Sequence, residues 1–149
     1  MTKGANYLWI LICRDSFLKF QKNALSTKGI QKKKLKQIID DNKNTVYGQK
    51  YHFSDIKTIN DFQKHVPIVT YEDIKNYVDL ILKEKKNILT KENIIKLEPT
   101  SGSISATKYI PYTKKLKNEF QAGISPWIYD LYTHHPTLKS GKAYWSLSP

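Results

Sequence analysis

Pro99-Thr100-Ser101-Gly102-Ser103-Ile104-Ser105-Ala106-Thr107-Lys108-Tyr109-Ile110-Pro111-Tyr112 is the most informative segment of the chain. It gathers small hydroxyl residues around one glycine and closes on a lysine. Just upstream, Asn93-Ile94-Ile95-Lys96-Leu97 has the apolar, β-branched character of a strand, and Lys108-Tyr109-Ile110-Pro111-Tyr112 reads as a second one. The loop between them suits phosphate. Gly102 lets the backbone approach an anion with no Cβ in the way, hydroxyls on Thr100, Ser101, Ser103 and Ser105 can donate to phosphate oxygens, and Lys108 supplies positive charge. It is not a Walker loop: the second glycine followed by lysine and a hydroxyl residue is missing, and the segment lies between strands instead of opening a helix. On spacing alone, a polar hairpin turn with Lys108 pointing at water fits equally well.

Toward the amino terminus the chain reads as helical. Trp9, Ile12, Phe17 and Phe20 recur at roughly helical spacing, and Ser26-Thr27 signals a new start before residues 30–39, with Tyr47-Gly48 marking a stop. Two short helices follow with matching starts, Thr58 with Asp61 and Thr70 with Asp73, where a side-chain oxygen can accept an orphan N–H of the first turn. Ile59, Phe62 and Val66 share a face of the first, and Pro67 ends it. Ile74, Tyr77, Val78, Ile81 and Leu82 form the buried stripe of the second.

Toward the carboxy terminus, Thr113 is a candidate cap for a helix carrying Leu116, Phe120, Ile124, Trp127 or Ile128, and Leu131 in phase. Ser125-Pro126 inside it predicts a kink or restart, and His134-His135-Pro136 closes it. Lys142-Ala143-Tyr144-Trp145-Ser146-Leu147 reads as a further strand with little after it to cover it, which suggests truncation. No internal repeat or linker defines a second domain.

The 149 residues fit one domain, and 40% hydrophobic with 12% aromatic residues is a globular composition. The net charge of +12 and pI near 9.6 invite a nucleic-acid reading. Against it, Arg14 is the sole arginine among 25 basic residues, and the lysines are scattered. The densest run, Lys32-Lys33-Lys34 with Lys36, suits the solvated face of a helix whose apolar side is Ile30, Leu35, Ile38 and Ile39. One cysteine, Cys13, excludes an internal disulfide and leaves a cytoplasmic protein as the default. The apolar run 7–13 is much shorter than the roughly 20 residues needed to span a bilayer. Arg14-Asp15 directly behind it, with no small-residue cleavage site, argues against a signal peptide. Cys13 and the set Trp9, Trp127 and Trp145 read as core residues. His52 and His65 stand alone in sequence, and the adjacent His134 and His135 diverge on any regular backbone, so no metal is expected from them.

Thr100-Ser101-Gly102-Ser103, a short spacer, then Lys108 and Ile110-Pro111 resemble the first nucleotide-binding motif of adenylate-forming enzymes. Thr45-Val46-Tyr47-Gly48, Asp61-Phe62, Val66-Pro67-Ile68 and Tyr71-Glu72 agree, in order and spacing, with one branch. They resemble the auxin-responsive promoter family, the plant acyl acid amido synthetases and their bacterial relatives. Ser125-Pro126-Trp127 and Gly141-Lys142-Ala143-Tyr144-Trp145-Ser146 are similar to the segment after the loop in bacterial members. The resemblance runs from about Phe20 to the end. Ile104 departs from the family's usual hydroxyl, a change expected to weaken a charge-assisted contact by about 1–3 kcal/mol. Ser105-Ala106 occupies a region where many members carry a glycine, and the family often has one near Glu84 as well.

The resemblance implies an incomplete α/β fold: the truncated amino-terminal portion, residues 1–149, of an adenylation domain, with helices over about 7–82, strands framing the loop, and a further helix. The carboxy-terminal domain and the adenine and ribose motifs would lie beyond it. The implied chemistry is ATP-dependent with Mg2+: a small carboxylic acid attacks the α-phosphate to give an acyl-adenylate, pyrophosphate leaves, and an amine or amino acid displaces AMP. Thr100, Ser101, Gly102, Ser103, Ser105 and Lys108 would position the phosphates. No acid, base or nucleophile is assigned, no nucleic acid or membrane partner is expected, and the piece alone should not turn over. Rival readings are an acyl-CoA ligase of the same superfamily, a non-catalytic remnant or binding module, and a lysine-rich nucleic-acid binder.

Overall fold

Helices dominate the computed structural model, which describes residues 2–100, 108–142 and 144, with the main chain alone at Thr2 and Lys3. In order, the elements are α1 (Thr2–Ala24), α2 (Thr27–Asn42), α3 (Val46–Lys50), α4 (Ile59–His65), α5 (Tyr71–Leu82), β1 (Ile94–Thr100), β2 (Lys108–Thr113) and α6 (Lys114–His134). Short 3-10 turns occupy Phe53–Asp55 and Pro136–Ser140. The expected order of helices, strands, helix is met. The expected α/β architecture is met only in part, because the described strands form one antiparallel pair. Lys142 and Tyr144 lie in irregular backbone where the sequence pattern predicts a strand, and Ala143 and residues 145–147 of that strand lie outside the described residues.

The chain divides into two compact units, Met1–Thr27 with Leu116–Pro149, and Lys28–Lys115. In the first, Ile10 and Cys13 of α1 pack with Ile128 and Tyr132 of α6, and Trp9, Ile124 and Tyr129 border the cluster. Trp9 meets Tyr132 edge-on at 6.0 Å and Phe17 meets Tyr129 at 4.8 Å, so the two helices run antiparallel. Cys13 is 1% exposed, a core residue as expected. The expected stripe needs correction: Ile12 is 68% and Phe20 59% exposed. The buried positions Asn6, Ile10 and Cys13 recur at four and three residues, and Ile12 faces away from that line. Asn6 is buried because its amide donates to the carbonyls of Lys139 (3.0 Å) and Gly141 (2.9 Å). Pro126 stays inside a continuous α6, with Ser125 Oγ donating to Gln121 O at 2.8 Å. Ile128 is buried in place of the exposed Trp127, and Trp145 lies outside the described residues.

In the second unit, Tyr47-Gly48 does not end a helix; α2 already ends at Asn42, and both residues belong to α3. The glycine serves close approach: a Cβ on Gly48 would stand 2.1 Å from the carbonyl oxygen of Asn42. Thr45, 1% exposed, caps α3 by accepting the Gly48 N–H at 3.0 Å while donating to Asn42 O at 2.8 Å. The next free donors of that turn, Val46 N–H and Tyr47 N–H, reach the carbonyls of Asn87 (2.8 Å) and Ile88 (3.0 Å). These orphan groups therefore tighten the link from α3 to the segment before β1. The Tyr47 ring meets Tyr51, Phe53 and Tyr77 at 4.6, 6.1 and 5.5 Å, and burial pushes its phenol pKa up.

The two predicted starts are present. Thr58 Oγ1 accepts Asp61 N–H at 3.1 Å and Asp61 Oδ2 accepts Thr58 N–H at 2.8 Å, a reciprocal box. Asp73 Oδ2 accepts both the N–H and the hydroxyl of Thr70, each at 2.7 Å. Both carboxyls lie below the usual range, held there chiefly by the backbone N–H of Lys57 for Asp61 and of Thr70 for Asp73. α5 buries Val78 and Ile81 as expected, whereas Leu82 is 44% exposed. The turn after it closes with Glu84 N–H on Ile81 O (2.9 Å) and Lys85 N–H on Leu80 O (3.0 Å). This pairing puts Glu84 at φ 59°, the left-handed position that glycine normally fills.

Candidate functional site at the mouth of the hairpin

β1 and β2 pair from Ile94↔Thr113 to Thr100↔Lys108 with one irregularity between Ile94 and Lys96. Thr100 and Lys108 are thus cross-strand partners, which puts their side chains on one face of the pair at the point where the loop leaves and returns. Ser101, Gly102, Ser103 and Ser105 lie outside the described residues. Of the six residues expected to handle phosphate, the structure brings together Thr100 and Lys108.

Local hydrogen bonding explains how a strand pair with two prolines survives. The Tyr109 N–H points away from β1 and donates to the Tyr71 hydroxyl at 3.0 Å. Its partner Pro99, and Pro111 two residues further on, therefore occupy the outward-facing positions of the ladder, where a missing N–H removes no inter-strand bond. Tyr71 is the first residue of α5, so the Thr70–Asp73 cap fixes the element that reaches over to β2. Lys108 Nζ also lies 5.5 Å from the centre of the Tyr71 ring, within cation–π range. Among the described residues no carboxylate pairs with Lys108, in contrast to Lys96, which pairs with Glu98 one face-neighbour away.

The other end of the hairpin is clamped on one carboxylate. Asp41, near the end of α2, accepts Lys91 Nζ on Oδ1 at 2.8 Å and Lys115 Nζ on Oδ2 at 2.6 Å. Lys91 precedes β1 and Lys115 follows β2, so a single side chain holds both legs. The Lys115 and then the Lys91 ammonium pull the Asp41 pKa down to about 2. Asn42 Oδ1 adds a bond from the Lys91 N–H at 3.0 Å. The sequence gives no sign of the clamp formed by Asp41, Lys91 and Lys115, because its contacts join positions 50 and 74 residues apart.

A cleft of about 700 Å³ lined by Ile81, Ile88, Asn93 and Leu97, among others, runs along the start of β1. Neither Thr100 nor Lys108 lines it. His52 and His65, isolated in sequence, have ring centres 6.4 Å apart. Among the described residues, no group of three His, Cys, Asp or Glu that could hold a metal ion is formed. No helix among them is long and apolar enough to cross a membrane.

Thr100 and Lys108 thus face each other on a hairpin backed by a capped helix, at either end of a connection that is glycine- and serine-containing in sequence. The GH3 family N-terminal domain matches residues 14–148, and the chain belongs to that family. A 4-substituted benzoates-glutamate ligase, GH3.12, of Arabidopsis thaliana is 34% identical over 121 residues, which is 78% of this chain and 20% of that protein. An indole-3-acetic acid-amido synthetase, GH3.15, of the same plant is 32% identical over 120 residues, 79% of this chain and 20% of that protein. The membership read from the motifs is borne out. The chain spans about a fifth of the length of the curated relatives it matches.

Proposed function

We propose that the chain forms the phosphate-handling amino-terminal part of an ATP-dependent ligase that activates a small carboxylic acid and joins it to an amine or amino acid. The observation that carries this reading is Thr100 opposite Lys108 at the loop mouth. A hydroxyl donor and an ammonium with no carboxylate partner among the described residues fit a polyphosphate, whose charge grows on the departing pyrophosphate. Ser101, Gly102, Ser103 and Ser105 complete the proposed cradle. ATP is the substrate held there, and Mg2+ comes with its phosphates: magnesium keeps several waters and binds through phosphate oxygens more than through a protein cage. The residues of this chain bind and orient the tail of the nucleotide, and the acid and amine are chosen elsewhere in the polypeptide.

Amide formation is favoured over thioester formation because both relatives are named for joining an acid to an amino group. A cytoplasmic setting and a place in the bacterial branch, the latter on Ser125-Pro126-Trp127 and residues 141–146, belong to the same reading. The test is an assay of the polypeptide encoded by the whole reading frame, given ATP, Mg2+, benzoate- or indole-type acids, and either amino acids or coenzyme A. The reading expects pyrophosphate release coupled to amide formation. Thioester formation without amide would favour the acyl-CoA ligase, and no pyrophosphate release with any acid would favour a non-catalytic module.

A further inference from the structure

We propose that Tyr71 is a positioning residue for Lys108, a role that rests on the reading of Lys108 as a phosphate-binding residue given above. Two independent contacts converge on this side chain. Its hydroxyl accepts the Tyr109 N–H at 3.0 Å, which fixes the start of β2 against the start of α5. Its ring carries the Lys108 ammonium 5.5 Å from the centre. The Thr70–Asp73 bonds of 2.7 Å pin the residue that precedes it, so Tyr71 projects from a fixed point.

The choice of an aromatic partner has a chemical consequence. Lys91, Lys96 and Lys115 are each held by a carboxylate, which neutralises them as it orients them. A ring face orients an ammonium while leaving its net charge and its N–H groups for an incoming anion. Lys108 is thus aimed without being neutralised, on the residue directly opposite Thr100.

Titration of this chain with magnesium pyrophosphate tests the role, comparing wild type with Tyr71→Phe and Tyr71→Leu and following the Lys108 side-chain protons by NMR. Tyr71→Phe keeps the ring and should retain the ring-current shift of Lys108 and bind within about three-fold of wild type; Tyr71→Leu should lose the shift and bind about ten-fold more weakly. A purely structural role would lower the melting temperature of Tyr71→Leu while leaving the affinity of the folded protein unchanged, and that result overturns the proposal without touching the phosphate reading. Absence of pyrophosphate binding by wild type overturns both. Should Tyr71→Leu fail to fold, Tyr71→Met, which is unbranched and helix-tolerant, separates the same outcomes through the same shift and affinity.

Discussion

Thr100 and Lys108 face each other as the last register pair of the antiparallel strands, so the loop between them starts from a hydroxyl and ends on an ammonium. Pyrophosphate binding should therefore depend on both, unequally. Lys108→Ala removes a charge-assisted contact of about 1.5–3 kcal/mol and should weaken binding by roughly ten- to a hundred-fold, while Thr100→Val removes a neutral donor and should weaken it by about three- to ten-fold. Lys96→Ala, on the same face but paired with Glu98, serves as the control and should change little. Calorimetric titration of the three variants checks the ranking.

Asp41 gives the hairpin an acid-sensitive base. Its pKa is depressed from 3.8 to about 2, so the folded state binds fewer protons than the unfolded chain in that interval. The stabilisation is full above pH about 4 and is lost as pH falls toward about 2. Thermal unfolding recorded from about pH 6 down to about pH 2 should show wild type losing this part while Asp41→Asn, lacking it throughout, falls less steeply. Parallel curves would show that the clamp does not contribute.

Glu84 occupies a left-handed position, φ 59°, which glycine adopts without a Cβ penalty. Glu84→Gly should relieve that strain and raise stability by about 1 kcal/mol, or a melting shift of roughly 2–4 °C. Asn87, at φ 56°, is an amide residue that tolerates the same region, so Asn87→Gly should gain much less. Chemical denaturation of both variants separates the two cases.

Gly48→Ala should act in the opposite direction. The new methyl would fall 2.1 Å from a backbone oxygen that cannot rotate away, and the Thr45 cap ties the same turn down. A loss of about 2–3 kcal/mol is expected, with the far-ultraviolet spectrum of the folded protein unchanged. A neutral substitution would mean that the α2–α3 turn is softer than its hydrogen bonds indicate.

Local chemistry is legible in the sequence and distant chemistry is not. The strands flanking the loop, the Thr58–Asp61 and Thr70–Asp73 starts and the end of α6 at His134 all follow from residues within four positions of one another. Tyr47-Gly48 misleads because glycine signals a helix end by its backbone freedom, whereas Gly48 is needed for its missing side chain beside Asn42. The link from Tyr71 to Tyr109 spans 38 residues, and the two lysines of Asp41 are farther away still, so no spacing rule reaches them. The periodicity of α1 points one step out of line because Ile12 and Phe20 are apolar yet exposed, and the polar Asn6 is buried with its own hydrogen bonds.

A crystal structure of the polypeptide encoded by the whole reading frame, with ATP and Mg2+ bound, puts the phosphate assignment at risk in a single step. The β- and γ-phosphate oxygens are predicted at about 2.7–3.2 Å from the Thr100 hydroxyl and the Lys108 ammonium. A nucleotide whose triphosphate lies away from both residues would contradict the assignment.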